Sequence, residues 1–169
     1  MWLSREVTSL LFGLAPIEGP DARLLILGNM PSAMSLSAQE YYGNPRNAFW
    51  RIMGSICGFD PAAPYPQRVA TLTEHRIAVW DVLRSCRRAG SLDSAVERDS
   101  MVANDFESFF NTHTDISRVL FNGAAAEANF ARLVGCDRAP PSVRLPSTSP
   151  AQTMRYADKL SAWQAALND

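Results

Sequence analysis

The feature that most constrains the fold is a series of four short apolar runs, each leading into a turn and then a helical pattern of apolar residues. The runs carry apolar residues on both faces, which is typical of parallel strands that helices cover on both sides. This alternation predicts an α/β protein, a three-layer α/β/α sandwich with a central four-stranded, mainly parallel sheet. The four runs are 23–27 (RLLIL), 76–82 (RIAVWDV), 118–121 (RVLF) and 143–145 (VRL).

Local signals predict where several helices begin and end. A stripe of apolar residues from Phe49 to Ile56 predicts a helix that Gly58 ends. The other predicted boundaries are a capping box of Asn104 and Glu107, a start at Asn122-Gly123 with an end at Gly135, and a terminal helix that begins at Ser149-Pro150.

The length of 169 residues predicts a single domain, 1–169, large enough to bury a core without disulfides or metal. No run of 18 apolar residues is present, and the N-terminus lacks a basic region followed by a cleavable apolar run. We therefore expect no signal peptide, no membrane partner, a cytoplasmic location and a monomer.

The scarcity of certain residue types excludes several chemistries. Cys57, Cys86 and Cys136 are widely spaced and form no CxxC pair, so a disulfide framework, a structural zinc site and a four-cysteine iron–sulfur cluster are not expected. The only histidines, His75 and His113, lie away from the predicted strand ends. A histidine-dependent nucleophile and a histidine metal site are therefore excluded, and we expect neither metal nor cofactor.

The cationic residues are fifteen Arg and one Lys, Lys159, in a chain of net charge −1. The net charge gives no indication of a nucleic-acid partner. Lys159 falls on the predicted terminal helix and is not placed to supply a Schiff-base amine. What remains for a site is a set of tyrosines, amides, hydroxyls and arginines.

Ligands of a parallel α/β sheet bind beyond the carboxyl ends of its strands, which directs attention to segments 28–50, 83–93, 122–123 and 146–152. The first reads GNMPSAMSLSAQEYYGNPRNAFW. Its glycine and prolines let the backbone approach a ligand, and Tyr41 and Tyr42 offer flat faces for stacking on a base. Alternatively the prolines shape a loop, the tyrosines pack, and Asn47 caps a helix. Neither a Walker loop nor a GxGxxG fingerprint is present.

The remaining segments each allow two interpretations. Asp81 ends a strand and is followed by Arg84, Arg87 and Arg88, which either hold phosphates or form a solvated basic loop. Asn122 either caps a helix or reads a base. The PSTSPAQ segment, 146–152, either binds phosphate at a helix N-terminus or only caps that helix.

The motifs GNMPS, YYGNPRNAFW and PSTSPA together resemble the uracil-DNA glycosylase superfamily, and in particular its hypoxanthine-DNA glycosylase branch. The resemblance extends over essentially the whole chain, through WDVL, CRRAGSLDS and FNG. By this resemblance the catalytic amide is Asn47, with Asn44 as second choice. The resemblance and the loop positions assign the base to Gly28, Asn29, Met30, Pro31, Ser32, Tyr42 and Asn122, and DNA phosphate to Arg46, Arg84, Arg88, Ser147 and Ser149.

Three positions depart from the uracil-excising members. Met30 stands where those enzymes carry an Asn or Asp that positions water, and Ser147 stands where they often carry a histidine. Ala151 falls where other members insert a leucine into the duplex. The first two departures argue against efficient uracil excision and are expected in the hypoxanthine branch.

The resemblance implies a monofunctional glycosylase that flips a deaminated base out of DNA and directs water to C1′, in base excision repair. Hypoxanthine is the preferred base, with xanthine or uracil as further substrates, and damaged DNA is the partner that brings the protein to the nucleoid. Two other hypotheses stay open: a DNA-binding member that has lost catalysis, and a nucleoside hydrolase that uses the same pocket.

Overall fold

The computed structural model describes residues 8–169, and residues 1–7, on which the signal-peptide prediction bears, lie outside this part. Within residues 8–169 no helix is both long and apolar enough to cross a membrane. The strands are β1 Leu10–Phe12, β2 Leu24–Gly28, β3 Ile77–Asp81, β4 Leu83–Arg87, β5 Val102–Ala103, β6 Arg118–Asn122 and β7 Ser142–Leu145. The α-helices are α1 Ala33–Ala38, α2 Phe49–Cys57, α3 Tyr65–Glu74, α4 Phe106–Thr112, α5 Ala124–Leu133 and α6 Tyr156–Leu167.

The four predicted strands form one parallel sheet in the order β3-β2-β6-β7, which confirms the predicted architecture. The strands end nearly level with one another, because Gly28 of β2 lies opposite Asp81 of β3 and Asn122 of β6 lies opposite Leu145 of β7. The polar residues Asp81 and Asn122 are thereby brought to the same edge of the sheet.

Helices cover both faces of this sheet, as the apolar runs predicted. Leu25 and Leu27 belong to a core cluster that includes Phe130 of α5. Ile26, on the opposite face of β2, belongs to a second cluster that includes Trp163 of α6. Full burial of each such aliphatic side chain contributes about 1.5–3 kcal/mol. The two clusters hold the strand ends, and hence the loops that follow them, in fixed positions.

A second, three-stranded antiparallel sheet has the order β1-β4-β5, and the sequence did not predict it. Segment 83–93, which the sequence indicates as a phosphate-binding segment or a solvated basic loop, begins with β4 directly after Val82. Cys86 of β4 pairs with Leu11, far away in the chain. Such pairing depends on a distant partner and leaves no local periodicity in the sequence LRSCR.

Two helices begin at residues other than the predicted ones. The terminal helix begins at Tyr156 rather than Pro150, because Ser149 and Gln152 close only a single turn, through the Gln152 N–H and the Ser149 carbonyl oxygen. Asp105 rather than Asn104 caps α4, since its carboxylate accepts from the N–H of Ser108 at 3.0 Å. The predicted helix ends at Gly58 and Gly135 are confirmed, as both glycines adopt positive φ just past a helix.

Candidate active site

A cavity of about 550 Å³ opens at the carboxyl edge of the parallel sheet. Its lining comes from the segments after β2 and β7, from the ends of β3 and β6, and from the turn around Asp93. Small-molecule sites of α/β proteins occupy this edge and have volumes of roughly 300–1,000 Å³. Segments from 28 to 152 thus meet around a space large enough for a nucleobase and its sugar.

Most of the predicted site residues line this cavity, and two do not. Those in the lining are Gly28, Asn29, Met30, Pro31, Ser32, Tyr42, Asn44, Arg46, Asn47, Asn122, Ser147 and Ser149. Arg84 and Arg88 are not among the lining residues. The structure thus places the other predicted residues at the cavity, while their roles in binding and catalysis stay predictions.

Arg88 joins two loops through hydrogen bonds and does not lie on the surface, as a phosphate ligand would. Its side chain is 3% exposed, and its guanidinium donates to the carbonyl oxygens of Gly90 at 2.8 Å and Pro31 at 2.7 Å. These bonds fix the loop after β2 against the loop after β4. Arg84 is exposed on β4 but lies outside the cavity. The expected phosphate role therefore does not fit Arg88, whose cation is enclosed by protein.

Tyr42 presents an aromatic ring to the cavity and is held from behind. Its ring stacks on Phe49 with centroids 4.0 Å apart and an interplanar angle of 26°. The backbone has a φ of 53°, a left-handed conformation that costs a non-glycine residue about 1 kcal/mol or more. Tyr41, by contrast, is buried and donates its hydroxyl to the carbonyl oxygen of Ala15 at 3.0 Å. Both tyrosines line the cavity, and the predicted stacking role fits the ring of Tyr42 better than that of Tyr41.

Asn122 ties three elements together at the base of the cavity. Its Nδ2 donates to the Tyr42 hydroxyl at 3.1 Å and to Thr148 Oγ1 at 3.0 Å, and its Oδ1 accepts from the Thr148 N–H at 2.9 Å. The alternative that Asn122 caps a helix is wrong, because Gly123 is the cap residue of α5 and Asn122 bonds elsewhere. The side chain positions Tyr42 and the segment after β7.

The carboxamide of Asn29 is also engaged by protein. Its Nδ2 donates to Asp93 Oδ1 at 3.0 Å, and its Oδ1 accepts from Asn129 Nδ2 at 2.8 Å. Asn29 thereby anchors the Asp93 turn and α5 beside the cavity. Met30 follows, nearly buried in the core cluster.

The two candidate catalytic amides, Asn44 and Asn47, stand on the same loop and use one oxygen lone pair each. Asn44 Oδ1 accepts from the Arg46 N–H at 3.0 Å, and Asn47 Oδ1 accepts from the Phe49 N–H at 2.9 Å. An amide oxygen has two lone pairs, so each retains one with which to bind water. Ala48, not Asn47, is the cap residue of α2, but Asn47 Oδ1 accepts from the first N–H of that helix, and this bond is compatible with water binding.

Asp81 is one of the lining residues that the predicted site does not include, and it carries a buried carboxyl group. It is 4% exposed, lines the cavity, and its buried Oδ2 has no hydrogen-bond partner. Burial, reinforced by the negative charge of Asp93 and opposed by Arg88, raises the pKa of Asp81 to about 7. A carboxyl directly after the buried run IAVW was the signal available in the sequence.

The loop 147–152, which we call the rim loop, is held from below by the single lysine. Lys159 is 4% exposed, and its ammonium donates to the carbonyl oxygens of Ser149 at 3.1 Å and Gln152 at 2.8 Å. Within the loop, Ser147 Oγ accepts from the Ser149 N–H at 3.2 Å. The two serines predicted to hold phosphate are therefore on an ordered loop backed by a buried cation.

The lining offers amides, hydroxyls, a tyrosine ring and carboxyl groups. Across the part of the chain that the structure describes, no three or more His, Cys, Asp and Glu side chains are grouped so as to hold a metal ion. His75 and His113 end α3 and α4, and neither lines the cavity.

Comparison with known proteins identifies the family. Residues 16–169 match a family model described as the uracil DNA glycosylase superfamily. The chain belongs to this superfamily. It is therefore a DNA glycosylase, a hydrolase of N-glycosidic bonds, and the resemblance of its motifs is confirmed.

Two curated relatives of this glycosylase are named hypoxanthine DNA glycosylase. The one from Methanosarcina acetivorans is 32% identical over 154 residues, which are 90% of this chain and 95% of the relative. The one from Methanosarcina barkeri is 34% identical over 112 residues, 66% of this chain and 70% of the relative. A solution NMR structure of a Methanosarcina acetivorans protein, described as a candidate uracil DNA glycosylase, has a TM-score of 0.80 and 31% identity. That match covers 94% of this chain and 97% of the other.

Proposed function

We propose that this DNA glycosylase excises hypoxanthine, by flipping the damaged nucleotide into the cavity and directing water to C1′. The observation that carries the proposal is the cavity at the carboxyl edge of the sheet, with the Tyr42 ring, two loop amides and a buried carboxyl group in its lining. The names of the two curated relatives support the choice of base.

Extrusion of the nucleotide costs a few kcal/mol, and least for a mispaired base such as hypoxanthine. The Tyr42 ring, supported by Phe49, supplies a stacking surface that offsets part of this cost, since base–aromatic stacking is worth about 1–3 kcal/mol. Because Asn122 fixes the Tyr42 hydroxyl, the surface is in place before the base arrives.

The attacking water is held by the free lone pair of Asn47 Oδ1, whose position the Phe49 N–H fixes. As the glycosidic bond breaks, C1′ gains oxocarbenium character and the base gains negative charge. Hydrogen-bond donors around residues 29–32 stabilise the departing base, an effect worth a few kcal/mol per preorganised donor.

The product is an abasic site, left for base excision repair. Lyase activity would need an amine nucleophile at C1′, and the only lysine donates its hydrogens to the rim loop. Ser147, Ser149 and Arg46 hold the DNA backbone at the mouth of the cavity, Arg46 as an exposed cation.

The substrate is tested with a labelled duplex that contains one hypoxanthine, followed by alkali. Strand breaks that appear only after alkali are the expected result, and they show a monofunctional glycosylase. Duplexes with uracil, xanthine or adenine at the same position rank the bases, and hypoxanthine is expected first. Binding without breaks would instead favour a non-catalytic DNA-binding protein, and cleavage of free inosine alone would favour a nucleoside hydrolase.

The role of Asn47 is tested with Asn47→Ser. Serine retains an oxygen that accepts from the Phe49 N–H but removes the amide. Single-turnover excision is expected to fall about 100-fold, the effect of losing one well-placed polar group. Asn44→Ser is the matched variant, because it makes the same change at the neighbouring turn with the Arg46 N–H. A larger loss of excision in Asn44→Ser than in Asn47→Ser would mean that Asn44, not Asn47, is the catalytic amide.

A further inference from the structure

Asp81 brings an enclosed carboxyl group directly beside Gly28 in the lining of the cavity. A Cβ atom on Gly28 would stand 2.4 Å from Asp81 Oδ1 and 3.0 Å from the Tyr42 hydroxyl. The carboxyl group of Asp81 therefore fills the space above Gly28, on the side where the hydroxyl of the expected stacking residue, Tyr42, also lies. It is nine-tenths buried and lines the cavity, and its Oδ2 has no partner in the protein.

Burial favours the neutral form of Asp81, and the charges around it act in both directions. Asp93, on the turn after β4, adds negative charge that favours the neutral form. The Tyr42 hydroxyl lies beside the same Gly28 position, while the Tyr41 hydroxyl donates to the carbonyl oxygen of Ala15. Arg88 favours the charged form. Two of its guanidinium nitrogens donate to the carbonyl oxygens of Gly90 and Pro31, and its third, Nη1, is buried without a partner among the described residues. A buried carboxylate without a hydrogen-bonding partner is costly, so the group retains a proton near neutral pH.

We propose that Asp81, as a neutral carboxylic acid, donates its proton to a ring nitrogen of the departing base. This inference rests on the proposed function, because it gives the buried group a task only if a base enters the cavity. A purine that leaves without a proton is an anion, and a positioned acid speeds such a departure by about 10²–10⁴-fold.

The C1′–N9 bond breaks and its electron pair goes to the base, while the O–H proton of Asp81 passes to a ring nitrogen, so that the base leaves neutral. The water oxygen forms the new bond to C1′ and releases one proton to solvent. Asp81, now a carboxylate, recovers a proton from solvent before the next turnover.

The test is the pH dependence of single-turnover excision from the hypoxanthine duplex, for the wild type and for Asp81→Asn. Asparagine keeps the size of the side chain and a hydrogen-bond donor but cannot transfer a proton. The wild-type rate is expected to fall tenfold per pH unit above about pH 7. The variant is expected to be about 100-fold slower at pH 6, with no decline over the same range. Asp99→Asn, an exposed carboxylate away from the cavity, is the control and should follow the wild type.

The outcomes separate the inference from the proposed function. A wild type that makes no alkali-labile breaks at any pH would refute both. A wild type that excises hypoxanthine, with an Asp81→Asn variant of equal rate and equal pH profile, overturns the acid role alone. A slow variant that keeps the decline above pH 7 also overturns it, because the titrating group would then lie elsewhere. Thermal unfolding of each variant shows that the rates belong to folded protein.

Discussion

The floor of the cavity and its rim loop are built in opposite ways. The floor, by which we mean Gly28, Asn29, Asp81 and Asn122, is buried at the ends of parallel strands, and its amides are bonded to protein. The rim loop, 147–152, is more exposed and is held from below by Lys159. In the proposed function, recognition of the base therefore falls to a rigid region, and contact with DNA falls to a surface that one buried cation supports.

The largest effect on the excision rate is expected from a substitution that adds one methyl carbon to the floor, at Gly28. Gly28→Ala would place a Cβ within 2.4 Å of Asp81 Oδ1, so the carboxyl group and the Tyr42 ring must shift. Because displacement by about 1 Å costs roughly 100-fold in rate, single-turnover excision should fall by at least that factor. Gly19→Ala, whose Cβ would meet only ordinary contacts of 3.6 Å or more, is the control. A fully active Gly28→Ala would show that the floor is not rigid.

A second prediction concerns the stability cost of the buried carboxyl. The pKa of Asp81 is about 7 in the folded protein against an ordinary 3.8, so the folded state keeps a proton that the unfolded state releases. Stability is therefore lost as pH rises from about 4 to about 7, by on the order of a few kcal/mol. Asp81→Asn should be more stable than the wild type at pH 8, and the difference should shrink toward pH 4.

Urea unfolding at several pH values measures this difference, with Asp99→Asn as the exposed control. An advantage of Asp81→Asn that is equal at pH 4 and pH 8 would contradict the assignment, because a constant difference cannot come from titration. Greater stability together with slower excision would show that the floor gives up stability for its chemistry.

On the rim, Lys159→Met should weaken binding of hypoxanthine-containing DNA about tenfold, or about 1.4 kcal/mol. The substitution removes the donor to the Ser149 and Gln152 carbonyl oxygens but keeps an apolar stem of similar length. Fluorescence anisotropy measures the affinity, with Gln164→Ala on the exposed side of α6 as the control. The rate of excision at saturating DNA should fall less in Lys159→Met than in Gly28→Ala. A larger fall in Lys159→Met than in Gly28→Ala would mean that the rim loop, not the floor, takes part in the chemical step.

The smallest effect is expected at the exposed cation of the site. Arg46→Gln should lower duplex affinity about threefold and reduce the slope of log affinity against log salt by about 0.9, the value for one phosphate contact. Arg84→Gln removes another exposed cation, outside the cavity, and should leave the slope unchanged. Equal losses in both variants would mean that the DNA extends across β4 as well.

The fold was predictable because its main elements have local signals. Apolar residues on both faces of four runs indicate covered parallel strands, and the strands form where expected. The antiparallel sheet was not predictable, since Leu11 and Cys86 pair over a long distance. The start of the terminal helix was wrong for a similar reason. Ser149 and Pro150 carry the signals of a helix start, but Lys159 binds the Ser149 carbonyl oxygen, and the turn does not continue.

The amino-acid order alone decides that a parallel sheet forms and that its carboxyl edge carries amides, serines and a tyrosine, because hydrophobic periodicity and turn residues act over a few positions. The order of residues does not decide which of these groups stay free to bind a ligand. Arg88 is buried by a loop from residue 31, and the carboxamide of Asn29 is taken by Asp93 and Asn129. Burial and hydrogen bonding join residues distant in the chain, and only the folded structure sets them. That is why Asp81, an ordinary aspartate in the sequence, becomes a buried acid at the floor of the cavity.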